Sequence, residues 1–432
     1  MSSPNATATR DLRSLLTPSP PNVVLGLLCL LYLLLYVDRV NIATAAPLIR
    51  AELGLSNTEL GMVFSAFSIP YALLQLFGGY VADRLGARTT LGVCCVLVAV
   101  STMLTGAVGG FASLLVVRLA LGAAEGPAFP AATRAISRWT AAEKWAFAQG
   151  ITHSSARVGN ALTPPLVASL IAALSWRASF VILGAVTLVW VAAWLWYFRD
   201  DPQRHRGAMD APQAPLAAAQ GRGGGSVPVP YWRLAKRIFP VTVVDFCYGW
   251  TLWLFLSWIP SFFFENYALD LRASALFSAG VLFSGVVGDT VGGVASDQLL
   301  RRTGSVLVAR RAVLIVGFLG AMAFLVPVVL VRDLTVAAVC LSAAFFFAEL
   351  IVAPIWAVPM DIAPRYAGSA SGMMNFGFGL AGLVSPLSFG YLVDLTGSWV
   401  VPFVGSILLS LLGAVLAARL RPDRRLADEA ET

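Results

Sequence analysis

The sequence has little charge. Of its 432 residues only 12% are Asp, Glu, Lys or Arg, whereas roughly 25% are charged in an ordinary soluble domain. Hydrophobic residues make up 58% of the chain, and the mean hydropathy is +0.78. This composition excludes a soluble, a disordered or a collagen-like chain of this length. It predicts a protein that lies in the lipid bilayer.

Lysine, histidine and cysteine are also scarce. Only Lys144 and Lys236 are lysines, so the net charge of +7 comes from arginines, and we do not interpret it as a nucleic-acid surface. The two histidines cannot form a His-x-x-x-His metal site, because one of them is His205 in a polar stretch. All five cysteines lie in apolar runs, which favours packing over disulfides. We expect no metal, no cofactor and no nucleic-acid partner.

Long apolar runs fill most of the chain. About 20 apolar residues in a helix span a hydrocarbon core of about 30 Å. Reading the runs between charged and turn residues predicts twelve such helices, at about 22–46, 59–81, 89–109, 111–134, 145–168, 178–198, 238–264, 273–296, 311–331, 334–358, 368–392 and 399–419.

A polar stretch separates the first six spans from the last six. It contains several prolines and the cluster Gly221–Gly225, which is typical of a flexible linker. Gly78–Asp83, at the end of span 2, is echoed by Gly292–Asp297 at the end of span 8, which indicates an internal repeat. We predict an all-α membrane protein with two six-helix bundles related by a pseudo-twofold axis. Its parts are a tail 1–21, a bundle 22–198, a linker 199–237, a bundle 238–419 and a tail 420–432.

The basic residues predict the orientation in the membrane. If both termini are cytoplasmic, the cytoplasmic segments hold 23 of the 30 Lys and Arg residues and the outer loops hold four. Short cytoplasmic loops carry the excess of positive charge. We therefore expect a multi-pass protein of a bacterial inner membrane with both termini in the cytoplasm, and we expect a monomer.

Eight ionisable residues lie within the predicted spans. Such groups are unfavourable at membrane depth unless they are paired or hydrated, so each one is a functional candidate. They are Asp38, Arg39, Arg118, Glu125, Arg157, Asp245, Asp289 and Glu349.

Four of these residues come from spans 1 and 4. Arg118 and Glu125 are seven residues apart and share one helix face, so Arg118 can bind a carboxylate and Glu125 can carry a proton. Asp38 and Arg39 point about 100° apart, and we expect Arg39 to pair with Glu125 and Asp38 with Arg118. A static salt-bridge cluster is the structural alternative. Two tyrosines near these charges can donate hydrogen bonds to a hydroxylated acid, Tyr36 and Tyr71.

The other charged residues leave more alternatives open. Arg157 in span 5 can bind a second acidic group of the substrate, or it can form a gating or structural pair with Asp289 of span 8. His153, one turn before it, is either an interior polar group or a proton relay. Glu349 is a candidate second titrating site or caps a broken helix, and Asp245 can reach solvent at the end of span 7.

The chain resembles members of the major facilitator superfamily, and more narrowly its anion:cation symporter family. That family includes bacterial galactonate, glucarate and phthalate transporters and the sialin and vesicular glutamate group. The resemblance covers essentially the whole chain. The motifs that carry it are Tyr36-Val37-Asp38-Arg39-Val40-Asn41-Ile42, Phe64-Ser65-Ala66-Phe67 with Tyr71 and Gln75, the loop signature Gly79, Asp83, Arg84, Gly86 and Arg88, the segment Arg118-x-x-x-Gly122-x-x-Glu125-Gly126-Pro127-Ala128-Phe129-Pro130, and Gly368-Ser369-Ala370-Ser371-Gly372-Met373-Met374-Asn375.

The resemblance implies roles for the charged residues. Asp38 and Glu125 would carry the coupling protons, and Arg118 would be the main ligand of the substrate carboxylate. Arg39 would support the acidic pair, and Tyr71 would line the site. Arg157 and His153 are not part of the family pattern.

These observations predict a secondary transporter that takes up an organic anion with protons by alternating access. The substrate class is a sugar acid or a small mono- or dicarboxylate. Sodium-coupled or facilitative transport of the anion is the main alternative. An intramembrane enzyme lacks a nameable nucleophile or metal site. A non-transporting sensor would need an output domain, for which the tails are too short.

Overall fold

The computed structural model describes residues 19–140, 145–202, 231–363 and 367–426. Within these residues the chain is helical and contains no β-strand. The helices are α1 (Pro20–Leu53), α2 (Asn57–Thr105), α3 (Phe111–Glu125), α4 (Ala128–Trp139), α5 (Trp145–Ala173), α6 (Trp176–Tyr197), α7 (Tyr231–Asn266), α8 (Leu271–Thr303), α9 (Val306–Leu330), α10 (Leu334–Glu349), α11 (Val352–Ile362), α12 (Ala367–Thr396) and α13 (Pro402–Arg419).

The helices account for the twelve predicted crossings. Ten segments of the described residues are helices long and apolar enough to cross a membrane. The first part of α2 and the whole of α5, which carries His153 and Arg157, are not among these ten. α3 with α4 makes one crossing, and α10 with α11 makes another. The predicted all-helical architecture is confirmed.

A glycine separates crossings 2 and 3. We expected separate helices at 59–81 and 89–109, and the backbone of α2 is non-helical at Gly86, which divides α2 into two helices there. Gly86 has φ +81°, a left-handed conformation that glycine adopts without a steric penalty. The Asp200 carboxylate lies against it, where a Cβ atom would collide. Crossings 2 and 3 are therefore two helices joined by a sharp turn at Gly86, as the sequence predicts.

Two crossings, 4 and 10, each consist of two helices with a break between them. Crossing 4, predicted as one helix, divides between α3 and α4 at Gly126 and Pro127. Crossing 10 divides after Glu349, at Leu350 and Ile351. Proline has no N–H for the helical hydrogen bond, and Pro354 follows the second break by one turn. Both breaks directly follow a buried glutamate, so each candidate carboxylate lies at a helix end.

Side-chain caps mark where several crossings begin. The Ser56 hydroxyl accepts a hydrogen bond from the N–H of Glu59, and the Glu59 carboxylate accepts one from the N–H of Ser56. Asp270 and Asp333 cap α8 and α10 by accepting a hydrogen bond from the N–H three residues later. The first N–H groups of a helix have no partner within it, so these caps fix the helix starts at the membrane boundary.

The two six-crossing halves, α1–α6 and α7–α13, meet along three helix pairs. These pairs are α2 with α12, α5 with α8, and α1 with α7. Close approach depends on small residues, as where Gly61 of α2 lies against the Pro386 carbonyl of α12. The charged side chains of α1, α5 and α8 lie along this interface.

Polar contacts join the two halves where α1 ends, which we call the Leu53 end of the molecule. Arg50 of α1 forms an ion pair with Glu265 of α7 at 2.5 Å. Asp394 of α12 accepts hydrogen bonds from the backbone N–H and the hydroxyl of Thr58, both at 2.6 Å. Asn57 also donates to Asp394, at 2.8 Å from its side chain. The Leu53 end is closed by these contacts.

Candidate functional site

The eight ionisable residues predicted within the spans divide into two clusters and one single residue. The Arg39 cluster consists of Asp38, Arg39, Arg118 and Glu125, all from the first half of the chain. The Arg157 cluster consists of Arg157 from the first half with Asp289, Glu349 and Tyr248 from the second. Asp245 of α7 lies apart from both ion-pair networks.

A buried ion pair is the centre of the Arg39 cluster. Arg39 Nε donates to Glu125 Oε1 at 2.6 Å, and a second nitrogen of the same guanidinium lies 2.5 Å from that oxygen. The Arg39 side chain is 5% exposed, and that of Glu125 is fully buried. The pairing expected from the sequence is confirmed. A buried charge is tolerated only when it is compensated in this way.

Aromatic rings surround the Arg39 guanidinium. Its central carbon lies 4.5 Å from the ring centre of Tyr71 and 4.7 Å from that of Tyr36. The rings of Phe67 and Phe129 lie at 5.3 and 5.2 Å. At these distances the ring faces attract a cation and replace part of its lost hydration. Tyr36 and Tyr71 therefore lie at the site, as the sequence predicts.

Arg118 and Asp38 are held differently from the central pair. The Arg118 guanidinium lies over the Phe67 ring at 5.1 Å. Asp38 accepts a hydrogen bond from Thr187 of α6 at 3.5 Å. The expected ion pair between Asp38 and Arg118 does not form within 4 Å among the described residues, so that prediction is wrong. The reason is geometric, because Asp38 projects toward α6, away from the face of α1 that presents Arg39.

Several polar atoms of the Arg39 cluster have no hydrogen-bond partner among the described residues. They include Asp38 Oδ1, Glu125 Oε2 and Arg118 Nε, all on buried side chains. Buried polar atoms are almost always paired in folded proteins, so a group of unpaired ones is the signature of a site for a ligand or proton. The free Arg118 nitrogen is a donor for an anion, and the free carboxylate oxygens are acceptors for protons.

The Arg157 cluster crosses the interface between the two halves. Arg157 Nε lies 3.6 Å from Asp289 Oδ2, and another guanidinium nitrogen lies 3.2 Å from Glu349 Oε2. Tyr248 donates from its hydroxyl to Glu349 Oε1 at 3.5 Å. The pair of Arg157 with Asp289 is therefore confirmed. The sequence did not indicate that Glu349 joins it.

Tyr36 lies between the two clusters. Besides its contact with Arg39, it is close enough to Arg157 for an electrostatic interaction. His153 contacts Tyr32 edge to face at 5.3 Å and interacts electrostatically with Arg157. Tyr36 is thus a common neighbour of Arg39 and Arg157.

Asp245 does not reach solvent, contrary to the sequence expectation. It is 1% exposed, and its Oδ2 atom has no hydrogen-bond partner among the described residues. Neighbouring positions of α7 pack tightly on α12, where Gly377 lies against the Thr242 carbonyl and Gly249 against Phe378. This close packing covers Asp245.

Sequence reasoning missed part of the lining. Asn41, Ser68 and Trp253 are buried, and each has a side-chain nitrogen or oxygen without a hydrogen-bond partner in the described part of the chain. Trp253 lies against Phe67 at 6.4 Å between ring centres, which brings the second half of the chain next to the Arg39 cluster. A polar atom within an apolar run is a weak signal, because lipid-facing and interior positions alternate around each helix.

The residues of the loop signature shape the backbone around Gly86 of α2. Gly86 forms the kink in α2, and the Arg88 N–H donates to Asp200 at 3.2 Å. The Arg88 guanidinium also donates to the Leu195 carbonyl. Gly79 lies within α2, and the side chain of Asp83 lies outside the described part. Arg84, Gly86 and Arg88 lie at the turn within α2. This turn is about 15 residues along the chain from Tyr71, the residue of α2 that contacts Arg39.

Comparison with known sequences agrees with the helical fold. Residues 28–386 match the Major Facilitator Superfamily. The chain is 47% identical over 403 residues to a probable sulfoacetate transporter of Cupriavidus necator, covering 93% of this chain and 94% of that one. It is 31% identical over 389 residues to a hexuronate transporter of Bacillus subtilis, covering 89% of each. It is 30% identical over 378 residues to a D-galactonate transporter of Escherichia coli, covering 83% and 86%.

Solved structures share the fold. A bacterial homologue of the human lysosomal transporter Spinster, in an inward-facing and unoccupied conformation, aligns with a TM-score of 0.78 over 94% of this chain and 99% of that one, at 18% identity. The D-xylose-proton symporter aligns with a TM-score of 0.74 over 93% and 98%, at 16% identity. Both alignments extend over the two halves of the chain.

Proposed function

The chain belongs to the Major Facilitator Superfamily, and on that premise we propose that it is a proton-coupled symporter for the uptake of a small organic anion. It is a multi-pass membrane transporter and not an enzyme. The observation that carries the proposal is the Arg39 cluster. A buried arginine–glutamate pair lies there beside a second arginine with a free donor and a carboxylate with a free oxygen.

The relatives suggest the class of substrate. Their names refer to sulfoacetate, hexuronate and D-galactonate, which all carry an acidic group on a small hydrophilic body. Sulfoacetate is the first substrate to test, because the relative named for it is 47% identical to this chain. Arg118 is the proposed ligand of the carboxylate, since an arginine fork matches carboxylate geometry with two parallel hydrogen bonds.

Protonation of the carboxylates supplies the coupling. A proton on Glu125 removes the negative partner of Arg39, and the cluster then carries excess positive charge. A substrate carboxylate restores neutrality by docking between Arg118 and Arg39. Asp38, whose Oδ1 atom has no hydrogen-bond partner among the described residues, is the proposed site of a second proton. Proton and substrate thus favour each other's binding, which is the thermodynamic requirement for symport.

The proposed direction is inward with both termini in the cytoplasm of a bacterial cell. The distribution of basic residues supports this orientation, with 23 of 30 on the side of the termini. The Leu53 end then faces outward. The closed Leu53 end would make the described conformation one that is sealed on the outside.

Coupling to sodium, or transport without a coupling ion, is the competing function. A carboxylate with backbone carbonyls can hold sodium as well as a proton. The Arg39 cluster supports the proton, because a proton needs only one free carboxylate oxygen, and both Asp38 Oδ1 and Glu125 Oε2 lack a hydrogen-bond partner among the described residues.

The test is uptake of labelled sulfoacetate, galactonate and hexuronate into proteoliposomes of the purified protein, acidic outside, with and without a protonophore. We expect accumulation of one of these acids that the protonophore abolishes in sodium-free buffer. Arg118→Ala is expected to abolish it as well. Uptake that needs sodium, or that ignores the pH gradient, would reject proton coupling. Absence of uptake of all three acids would reject the proposed substrate class.

A further inference from the structure

We infer that the Arg157 cluster is a second anion subsite, opened by a proton on Glu349, which holds one acidic group of a substrate that carries two. The inference rests on the proposed function, because the other acidic group is the one that docks on Arg118. It names the substrate class as organic dianions. It also assigns Glu349 a proton beyond those of Asp38 and Glu125.

Arg157 is held far less tightly than Arg39. Its distances of 3.2 Å to Glu349 and 3.6 Å to Asp289 exceed the 2.5–2.6 Å between Arg39 and Glu125. The Glu349 Oε2 atom that faces it has no hydrogen-bond partner among the described residues. Charge-assisted hydrogen bonds are usually about 2.7–2.9 Å long. Arg157 therefore keeps donors that an incoming anion can use.

Arg157 is also reachable. Its side chain is 13% exposed and that of Asp289 is 24% exposed, whereas Glu125 and Glu349 are fully buried. A ligand can thus approach the guanidinium from the side of Asp289. The fully buried Glu349 carboxylate lies at another nitrogen of the Arg157 guanidinium.

Two glycines of α8 leave room for the Glu349 side chain between α8 and α10. A Cβ atom on Gly285 would lie 3.0 Å from Glu349 Cγ, and one on Gly288 would lie 3.1 Å from Glu349 Cβ. Small residues at these positions let α8 and α10 approach closely. The stem of Glu349 fills the groove that they leave, and its carboxylate is directed to Arg157 of the other half.

The charges explain why a proton is needed. With Arg157, Asp289 and Glu349 all ionised, the cluster has one positive and two negative charges, and it repels a further anion. A proton on Glu349 makes the cluster neutral and leaves Asp289 as the only competitor for Arg157. The second acidic group of the substrate can then pair with the Arg157 guanidinium.

The groups that surround Glu349 agree with this count of charges in the Arg157 cluster. Arg157 faces it from α5, Asp289 from α8 and Tyr248 from α7. His153 lies near Arg157 and Asp289, and Asp245 lies near Tyr248. Among these residues Arg157 is the one permanent cation, so ionised Glu349 and a substrate anion compete for the same partner.

The experiment measures how strongly the purified protein prefers two acidic groups over one. Binding of labelled sulfoacetate is competed by unlabelled sulfoacetate, acetate and methanesulfonate, the last two of which each keep one acidic group. We expect wild-type protein to bind sulfoacetate at least about tenfold more tightly than either monoanion, since each arginine–anion pair contributes a charged hydrogen bond. Arg157→Gln is expected to remove that preference.

The variant Glu349→Gln tests whether binding of the dianion requires a proton on Glu349. Glutamine resembles the protonated carboxyl in shape, so the variant should still bind sulfoacetate at acidic pH. Wild-type affinity should fall as the pH rises, and the slope of log Kd against pH should be smaller by about one proton in Glu349→Gln. Arg157→Lys, which keeps the charge, is expected to retain part of the dianion preference.

Arg50→Gln is the matched control, because Arg50 also pairs across the two halves but lies at the Leu53 end. It should keep the wild-type preference for sulfoacetate. If Arg157→Gln keeps that preference, or Glu349→Gln keeps the wild-type slope, the subsite is disproved while the proposed function stands. If wild-type protein neither binds nor takes up any organic acid, the proposed function fails and the subsite with it.

Discussion

Each of the two charged clusters pairs an arginine with a glutamate, but the clusters differ in where these partners lie. Arg39 and Glu125 belong to one half of the molecule, and they are in hydrogen-bond contact at 2.5–2.6 Å. Arg157 reaches across to Asp289 and Glu349 of the other half at 3.2–3.6 Å. A pair within one half keeps its geometry when the halves move, whereas a pair between halves changes its distance.

This difference suggests a division of work. The Arg39 cluster is fixed by its half and can act as the constant binding and protonation site. The Arg157 cluster is sensitive to the relative position of the halves, so binding of a ligand there is linked to their movement. Removing one charge at a time tests this difference between the clusters.

The largest effect is expected for Arg39→Gln. This change leaves the carboxylate of Glu125 buried without a cation, and breaking a buried pair lowers the free energy of unfolding by about 3–5 kcal/mol. Uptake should be lost. Thermal unfolding of the purified protein in detergent measures the stability.

The double variant Arg39→Gln with Glu125→Gln is the control for this prediction. It removes both charges, so most of the stability should return while uptake stays absent. The corresponding Arg157→Gln should lower the stability much less, because the contacts of Arg157 are longer and the Arg157 and Asp289 side chains are partly exposed. Equal destabilisation by Arg39→Gln and Arg157→Gln would contradict the distinction between the clusters.

Arg118→Lys should impair function with little loss of stability. Lysine keeps the positive charge, but it cannot form the two parallel hydrogen bonds of a guanidinium with a carboxylate. We expect the KM for the transported acid to rise at least about tenfold, with an unfolding midpoint close to that of the wild type. Uptake kinetics in proteoliposomes measure the KM. An unchanged KM would remove Arg118 from the substrate site.

Glu125→Gln should separate coupling from exchange. Wild-type uptake is expected to rise as the outside pH falls, because protonated carboxylates release the arginines to the substrate. In the variant this position can no longer take a proton, so pH-driven accumulation should drop several-fold while exchange of labelled for unlabelled substrate continues. Counterflow and pH-jump assays on the same proteoliposomes compare the two. Full accumulation by Glu125→Gln would place the coupling proton elsewhere.

The sequence predicted the Arg39–Glu125 pair because both residues lie within recognisable motifs and at similar depth in their spans. It also predicted the helical architecture, because hydropathy and length alone define crossings. The pairing of Arg157 with Asp289 was one of two alternatives that the sequence left open for Arg157, and the structure shows that pair.

Other features depended on side-chain direction, which a single sequence does not contain. Asp38 lies beside Arg39 in the chain, but it bonds to Thr187 of α6 and not to Arg118. Glu349 joins Arg157 because two glycines bring α8 and α10 together, and hydropathy does not report such an approach. The broken crossings had a local signal in Pro127 and Pro354, but proline also occurs in unbroken membrane helices.

The smallest effect is expected for Arg50→Gln, and it shows whether depth in the membrane or position between the halves decides the role of an ion pair. Arg50 and Glu265 connect the halves as Arg157 and Glu349 do, but both side chains are about a quarter exposed. Water screens such a pair, which contributes about 0–1 kcal/mol to stability. We expect uptake within about threefold of wild type and an unaltered preference for dianions, measured by the same competition assay. A lost preference in Arg50→Gln would mean that any contact between the halves controls selectivity, and the Arg157 cluster would then have no special place in it.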